Sequence, residues 1–311
     1  MAPLSSVEWV ALAYLLSLAA LLAPVGRLAD IAGRKLLYTL GYFVCVVGSA
    51  LCGAAPNLPV LLGSRVLQAV GAAFLQANSV AIVTAAAGPG RRGKAIGIQG
   101  TAQAIGLSVG PALGGLLISA FGWRWVFFIN VPAGIVGIVA GWFVLPRTLG
   151  LRHDRQPFDF SGAFLLAVAL VASMLVLSKG QTWGWLSAAT LGLIVLSALT
   201  VFVFIRRERR TASPVMDLLL FRSRAFSLGN VTGLLSYGVT FGAFLLIPYE
   251  LERLYGYSPL QAGGLLTAVP VALAIVAPLS GAWSDRVGAR TPTVSGMLLA
   301  TLALAALALT V

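Results

Sequence analysis

Two short patterns in this chain combine charge and glycine at spacings that could do chemistry. Gly26-Arg27-Leu28-Ala29-Asp30-Ile31-Ala32-Gly33-Arg34-Lys35 lies between two long apolar runs, and Gly281-Ala282-Trp283-Ser284-Asp285-Arg286-Val287-Gly288-Ala289-Arg290 repeats it near the end. Both place Asp four residues after Gly, a second Gly three further on, and a basic residue two beyond that. An aspartate so placed can accept charge-assisted bonds from Arg34 or from the end of a neighbouring helix. The glycines permit a tight backbone and close helix approach. Asp30, Arg34 and Asp285 are therefore candidates for charge pairing at helix ends. Arg65 offers chemistry of another kind. It is the one charge well inside an apolar run, with Gln68 three residues on, and it lies about 9 Å beyond Pro59 along a helix axis. A charge at that depth costs roughly 2.5–3.5 kcal/mol on insertion scales, which makes function the default reading. The competing reading is a side chain that snorkels to the nearer interface.

The elements that must position these residues are membrane helices. The 311 residues are 59% hydrophobic and 10% charged, with mean hydropathy +0.95, whereas a soluble domain carries about 25% charged residues. Ten apolar runs follow one another, at roughly 9–25, 36–53, 59–86, 95–120, 126–145, 161–178, 187–205, 227–251, 262–280 and 293–311. Each is close to the ~20 residues that cross a bilayer. The net charge of +12 follows topology and is no sign of nucleic acid. Alternate loops hold 17 of the 21 Lys and Arg, while the other set holds only Arg124, Lys179 and Arg253. By the positive-inside rule the rich set is cytoplasmic, which puts both ends of the chain outside. Met1 to Glu8 lacks the basic n-region of a signal peptide.

Several other features carry no chemistry. Gly88-Pro89-Gly90-Arg91-Arg92-Gly93-Lys94 has the spacing of a phosphate-binding loop, but Ala95 stands where Ser or Thr would hold magnesium. It reads as a basic turn. Cys45 and Cys52 share a helix face with no histidine near them, so packing is expected and no metal or cofactor is implied. His153 reads as a solvated loop residue. No clustered His, Cys or carboxylate set suggests an enzyme. Gly106, Gly110 and Gly114 recur every four residues, with Pro111 and Gly115 among them. This makes one flat helix face suited to close packing.

Taken together, these motifs resemble the major facilitator superfamily, and within it the fourteen-helix drug:proton antiporter branch. The repeated charged turn is similar to that family's loop signature, although Ile31 and Ala289 stand where the pattern is usually basic. Arg65 to Ala73 resembles its fourth-helix motif, whose Arg is linked to proton coupling. Gly106-Leu107-Ser108-Val109-Gly110-Pro111-Ala112-Leu113-Gly114-Gly115 looks like its fifth-helix antiporter signature. Trp9-Val10 with Tyr14-Leu15-Leu16, and Gly122 to Pro132, resemble the second helix and the link between helices five and six. Phe158-Asp159-Phe160-Ser161-Gly162 resembles the entry to the branch's extra helix pair, and Leu220 to Phe226 and Gly256 to Gly263 continue the likeness.

The resemblance implies an all-α membrane protein with an incomplete major facilitator fold of about ten transmembrane helices. Residues 1–146 would be an N-terminal bundle (family helices two to six), 147–210 a linker with the extra helix pair, and 211–311 the first half of a C-terminal bundle. The family's first helix and last three would be missing. Proton-coupled efflux needs a titrating membrane carboxylate, yet none of the acids, Glu8, Asp30, Asp154, Asp159, Glu208, Asp217, Glu250, Glu252 and Asp285, lies near the middle of a span. The absent first helix commonly supplies that Asp, which leaves Arg65 without an evident acidic partner. The expected function is secondary transport in the plasma membrane, with protons exchanged for hydrophobic or cationic small molecules. Export of a metabolite or amino acid, or a non-transporting fragment, are the alternatives. The expected partners are the lipid bilayer, protons and the substrate, with no nucleic acid; the oligomeric state is open.

Overall fold

The computed structural model describes residues 4–145 and 158–310. His153, Asp154, Arg147, Arg152, Arg155 and the 146/147 boundary lie outside the described residues. The described residues are helical and contain no strand. Lipid offers no partner to a bare N–H or C=O, so each apolar run closes its own backbone bonds. The helices are α1 (Leu4–Ala32), α2 (Arg34–Ala54), α3 (Leu58–Ala87), α4 (Arg92–Phe121), α5 (Trp125–Phe128), α6 (Asn130–Val144), α7 (Phe160–Trp183), α8 (Ala188–Glu208), α9 (Arg224–Arg253), α10 (Pro259–Leu266), α11 (Ala268–Val287) and α12 (Arg290–Thr310). Together α5 and α6 make one span, as do α10 and α11, giving ten helices long and apolar enough to cross a membrane among the described residues. Each expected span is present.

The helices outrun the apolar stretches because polar residues cap and extend them. Asp159 accepts Gly162 N–H at 2.9 Å at the start of α7, and Ser187 accepts Thr190 N–H at 3.2 Å at the start of α8. Ser258 and Gln261 form a reciprocal capping box at α10. Lys179, expected in a loop, lies inside α7 for the same reason.

The contacts form two compact units, Met1–Ser79 with Leu116–Leu218, and Val80–Gly115 with Leu219–Val311. In the first unit α2 packs on α5 and α6, while α7 packs on both α8 and α1. In the second, α9 packs on α10 and α12, and α11 on α12.

Candidate functional site

Small residues on α2 and α3 build the ground under Arg65. A Cβ at Gly48 would meet Gln68 N and Cα at 2.6 Å, and one at Gly41 would meet Phe74 Cβ at 2.8 Å. Only glycine allows the two backbones this close. The approach delivers Ser49 and Cys52, both fully buried, to the side chain of Gln68, which is 6% exposed. Gln68 Nε2 donates to Ser49 Oγ at 2.7 Å, and the Cys52 thiol makes a long contact of 4.0 Å with Gln68 Oε1. That oxygen also accepts Arg65 Nη1 at 2.7 Å. Arg65 Nε donates to the Val10 carbonyl of α1 at 3.0 Å. Its guanidinium sits 4.4 Å from the Tyr14 ring centroid and 5.5 Å from that of Phe127.

Arg65 is therefore held by groups of the first unit. Among the described residues it takes part in none of the three ion pairs. Two charge-assisted bonds at about 1.5–3 kcal/mol each, with ring contacts of about 0.5–2 kcal/mol, offset the 2.5–3.5 kcal/mol insertion cost. Arg65 and Gln68, both candidates from the sequence, lie in direct contact. Val10, Tyr14, Ser49 and Phe127 were not singled out as site residues. Val10 and Tyr14 stand four apart on one helix face, which was the available signal. The cysteines are packing residues in this cluster.

The charged signatures are not ten-residue turns. Helix α1 continues through Ala32 and α11 through Val287. The break is carried by the second glycine of each copy, Gly33 at φ 99° and Gly288 at φ 83°, a left-handed region that favours glycine. Arg34 bridges that break to Asp30, with Nε and Nη2 at 3.2 and 2.9 Å from Oδ1. Lys35 Nζ donates to the carbonyls of Trp142 at 2.8 Å and Leu145 at 2.5 Å, closing the end of α6. Gly26 makes no close approach: a Cβ there would meet nothing within 4 Å. It lines a cavity of about 420 Å³ with Asp30, Pro214 and Asp217.

In the second unit, Asp285 Oδ1 accepts the Gly93 amide at 2.7 Å and Oδ2 accepts that of Lys94 at 2.9 Å, capping α4. Behind it, Gly93 and Gly281 lie backbone to backbone, and Gly97 lies against Ala277 and Pro278. Thr101 Oγ1 donates to the Ala274 carbonyl at 2.8 Å. The close packing of α4 thus falls at Gly93 and Gly97, starting inside what reads as a basic turn in the sequence. At Gly106, Gly110, Gly114 and Gly115 a Cβ would meet nothing within 4 Å. The four-residue spacing of Gly93 and Gly97, opposite the repeat glycine Gly281, was the overlooked signal.

Comparison with known proteins decides the family. Residues 2–221 match the model of the Major Facilitator Superfamily. The chain belongs to that superfamily. It is 36% identical over 307 residues, 98% of its length and 66% of the relative's, to a riboflavin transporter, RibZ, of Clostridioides difficile. It is 34% identical over 298 residues to the multidrug resistance protein Stp of Mycobacterium tuberculosis, covering 96% of the chain and 55% of Stp. Over 300 residues it is 34% identical to the tetracenomycin C resistance and export protein of Streptomyces glaucescens, covering 96% and 55%. The facilitator chain spans about half to two thirds of these curated relatives' length. As a facilitator it is a multi-pass membrane protein of a transporter family, not an enzyme.

Proposed function

We propose that this facilitator serves proton-coupled export of hydrophobic or cationic small molecules across the plasma membrane, with the arginine-rich loops cytoplasmic. The observation that carries the reading is Arg65, a half-buried cation held by Gln68, the Val10 carbonyl and two rings, with no ion-pair partner among the described residues. Such a charge is ready to answer a proton or a charged cargo arriving beside it. Asp30, Arg34 and Asp285 would act as gates, since their contacts at helix ends can be made and broken in a rocking cycle. Gly106, Gly110, Pro111, Gly114 and Gly115 would line the moving face of α4. Residues 1–146, 147–210 and 211–311 are proposed as the family's consecutive segments.

The multidrug and antibiotic-export names of the relatives support drug cargo. A second reading, export of a metabolite, is favoured by the riboflavin transporter at 36% identity over 98% of the chain. One assay separates them. The chain, expressed with whatever coding sequence flanks it in its gene, is placed in inverted vesicles, and accumulation of ethidium and of riboflavin is followed with and without an uncoupler. Uncoupler-sensitive ethidium uptake, lost in R65A, is the expected result. Riboflavin uptake alone would favour the second reading, and uptake of either that ignores both the uncoupler and R65A would sink proton coupling through Arg65.

A further inference from the structure

The hairpin of α7 and α8 packs on α1 through α7, and the segment that follows α8 shares a cavity with the far end of α1. At one end Lys179 is only 7% exposed, donates to Glu8 on α1, and lies 5.5 Å from the Trp9 ring. A buried ammonium left unpaired among apolar helices is costly, so this contact fixes where α7 can sit. Next to it Gly180 makes room for the Trp185 ring, which a Cβ there would meet at 2.7 Å. Between the ends, Ser173 and Ser197 share a hydrogen bond of 2.7 Å that ties α7 to α8, and buried Ala169 and Ala172 give α7 a smooth flank.

At the other end α8 finishes on Glu208, 5% exposed. Its two carboxylate oxygens accept the Val215 and Met216 amides at 3.2 and 3.3 Å. That folds residues 209–217 back as a strap. Ser213 and Val215 are buried. In the cavity beside the first charged signature, Pro214, Val215 and Asp217 form one wall, and Ala23, Gly26 and Asp30 of α1 the other. A mere linker needs neither a buried lysine at one end nor a buried carboxylate at the other.

We propose that the α7–α8 hairpin is a brace: held to α1 by Lys179–Glu8 at one end and by the Glu208 strap at the other, it fixes the position of the Gly26–Lys35 signature. Glu208 and Lys179 are positioning residues in this role, which does not depend on what is transported. Hydrogen exchange read by mass spectrometry on the chain in lipid nanodiscs tests it. E208A removes charge-assisted bonds, so exchange at 213–217 should rise about tenfold or more, and exchange at 26–33 should rise with it. K179M should loosen the α1 end around Glu8 and Trp9, and the charge-swapped pair E8K with K179E should restore it. S197A cuts the hairpin's own bond without touching either clamp and should leave 26–33 unchanged. If E208A unfolds the chain, E208Q, which keeps one acceptor oxygen, gives the graded comparison. A strap that loosens while 26–33 exchanges at the native rate overturns the brace, as does a failure of the charge swap to restore α1.

Discussion

Substituting Arg65 and its partner Gln68 separately tests whether the site is held as described. Replacing Arg65 by Met removes two charge-assisted bonds, about 1.5–3 kcal/mol each, and ring contacts of about 0.5–2 kcal/mol. It also removes the 2.5–3.5 kcal/mol cost of placing a charge at that depth. The interactions lost exceed the cost relieved, so R65M should lose about 1–4 kcal/mol of stability. Replacing Gln68 by Leu is different, because the charge stays. Arg65 then loses the acceptor 2.7 Å from Nη1, and Ser49 Oγ loses its 2.7 Å donor. Leaving a charged donor and a buried hydroxyl short of partners should cost about 3 kcal/mol or more.

The double variant completes the cycle. Once Arg65 is gone, the Q68L change strands only Ser49, so R65M/Q68L should be more stable than Q68L alone, with a coupling of about 1–3 kcal/mol. The assay is reversible unfolding of each variant in bicelles or mixed micelles, read by helicity. A cycle in which the two losses simply add would refute the direct bond between them.

Further outcomes follow from the helix ends. G33A should cost about 1–2 kcal/mol, since φ 99° strains any residue with a Cβ, whereas G26A, facing open space, should stay within about 0.5 kcal/mol; unfolding midpoints decide. G281A drives a methyl into the Gly93 carbonyl, so a disulfide engineered between α4 and α11 near that crossing should form more slowly than in the parent chain. D285N keeps one acceptor oxygen and loses the charge, so amide exchange at Gly93 and Lys94 should rise about threefold to tenfold. The Arg207 guanidinium, with Nη2 2.8 Å from Asp159 Oδ1, holds that carboxyl below the usual carboxylate range. The depressed value means the stabilisation is present above the unfolded carboxylate pKa and fades as pH falls through the folded one. D159N should therefore flatten the acid limb of the unfolding curve below about pH 4, and an unchanged acid limb would remove Asp159 from the account.

The spans were legible because the hydrocarbon layer demands long apolar runs, and every one of the ten appears as a helix. Arg65 and Gln68 were legible for the same reason, since polar groups in such a run need an explanation. The ends of the helices were not. Apolar periodicity stops at the interface, while α1 and α11 continue through charged residues to a single glycine. Contacts across helices were hidden too. Nothing in the spacing of Lys179 announces a partner 171 positions away at Glu8, and nothing in a Gly106–Gly114 stripe says that the close crossing lies at Gly93 and Gly97 instead. A small-residue stripe shows where a helix could approach another and leaves open which stretch is used.

The two charged signatures show how one pattern is put to separate uses by its variable positions. In the first copy Arg34 stands four residues after Asp30 and takes its carboxylate, a pair of half-exposed groups that contributes at most about 1 kcal/mol. In the second copy the equivalent position is Ala289. With no basic residue one turn on, both oxygens of Asp285 are left for the Gly93 and Lys94 amides, where the helix dipole adds to each bond. The glycines divide in the same way. Gly26 faces a cavity and its missing side chain is unused, while Gly281 is packed against Gly93 so tightly that no Cβ fits. Aspartate as a helix cap and glycine as a contact surface reinforce each other in the second copy, because the cap fixes the end of α4 and the glycines fix its flank. The first copy has a half-exposed ion pair and open space in the same places, and the Glu208 strap is the element that lies beside it. The fixed Asp and second Gly set the chain break in both copies; the residue after that Gly decides whether the carboxylate is turned toward its own signature or outward onto another helix.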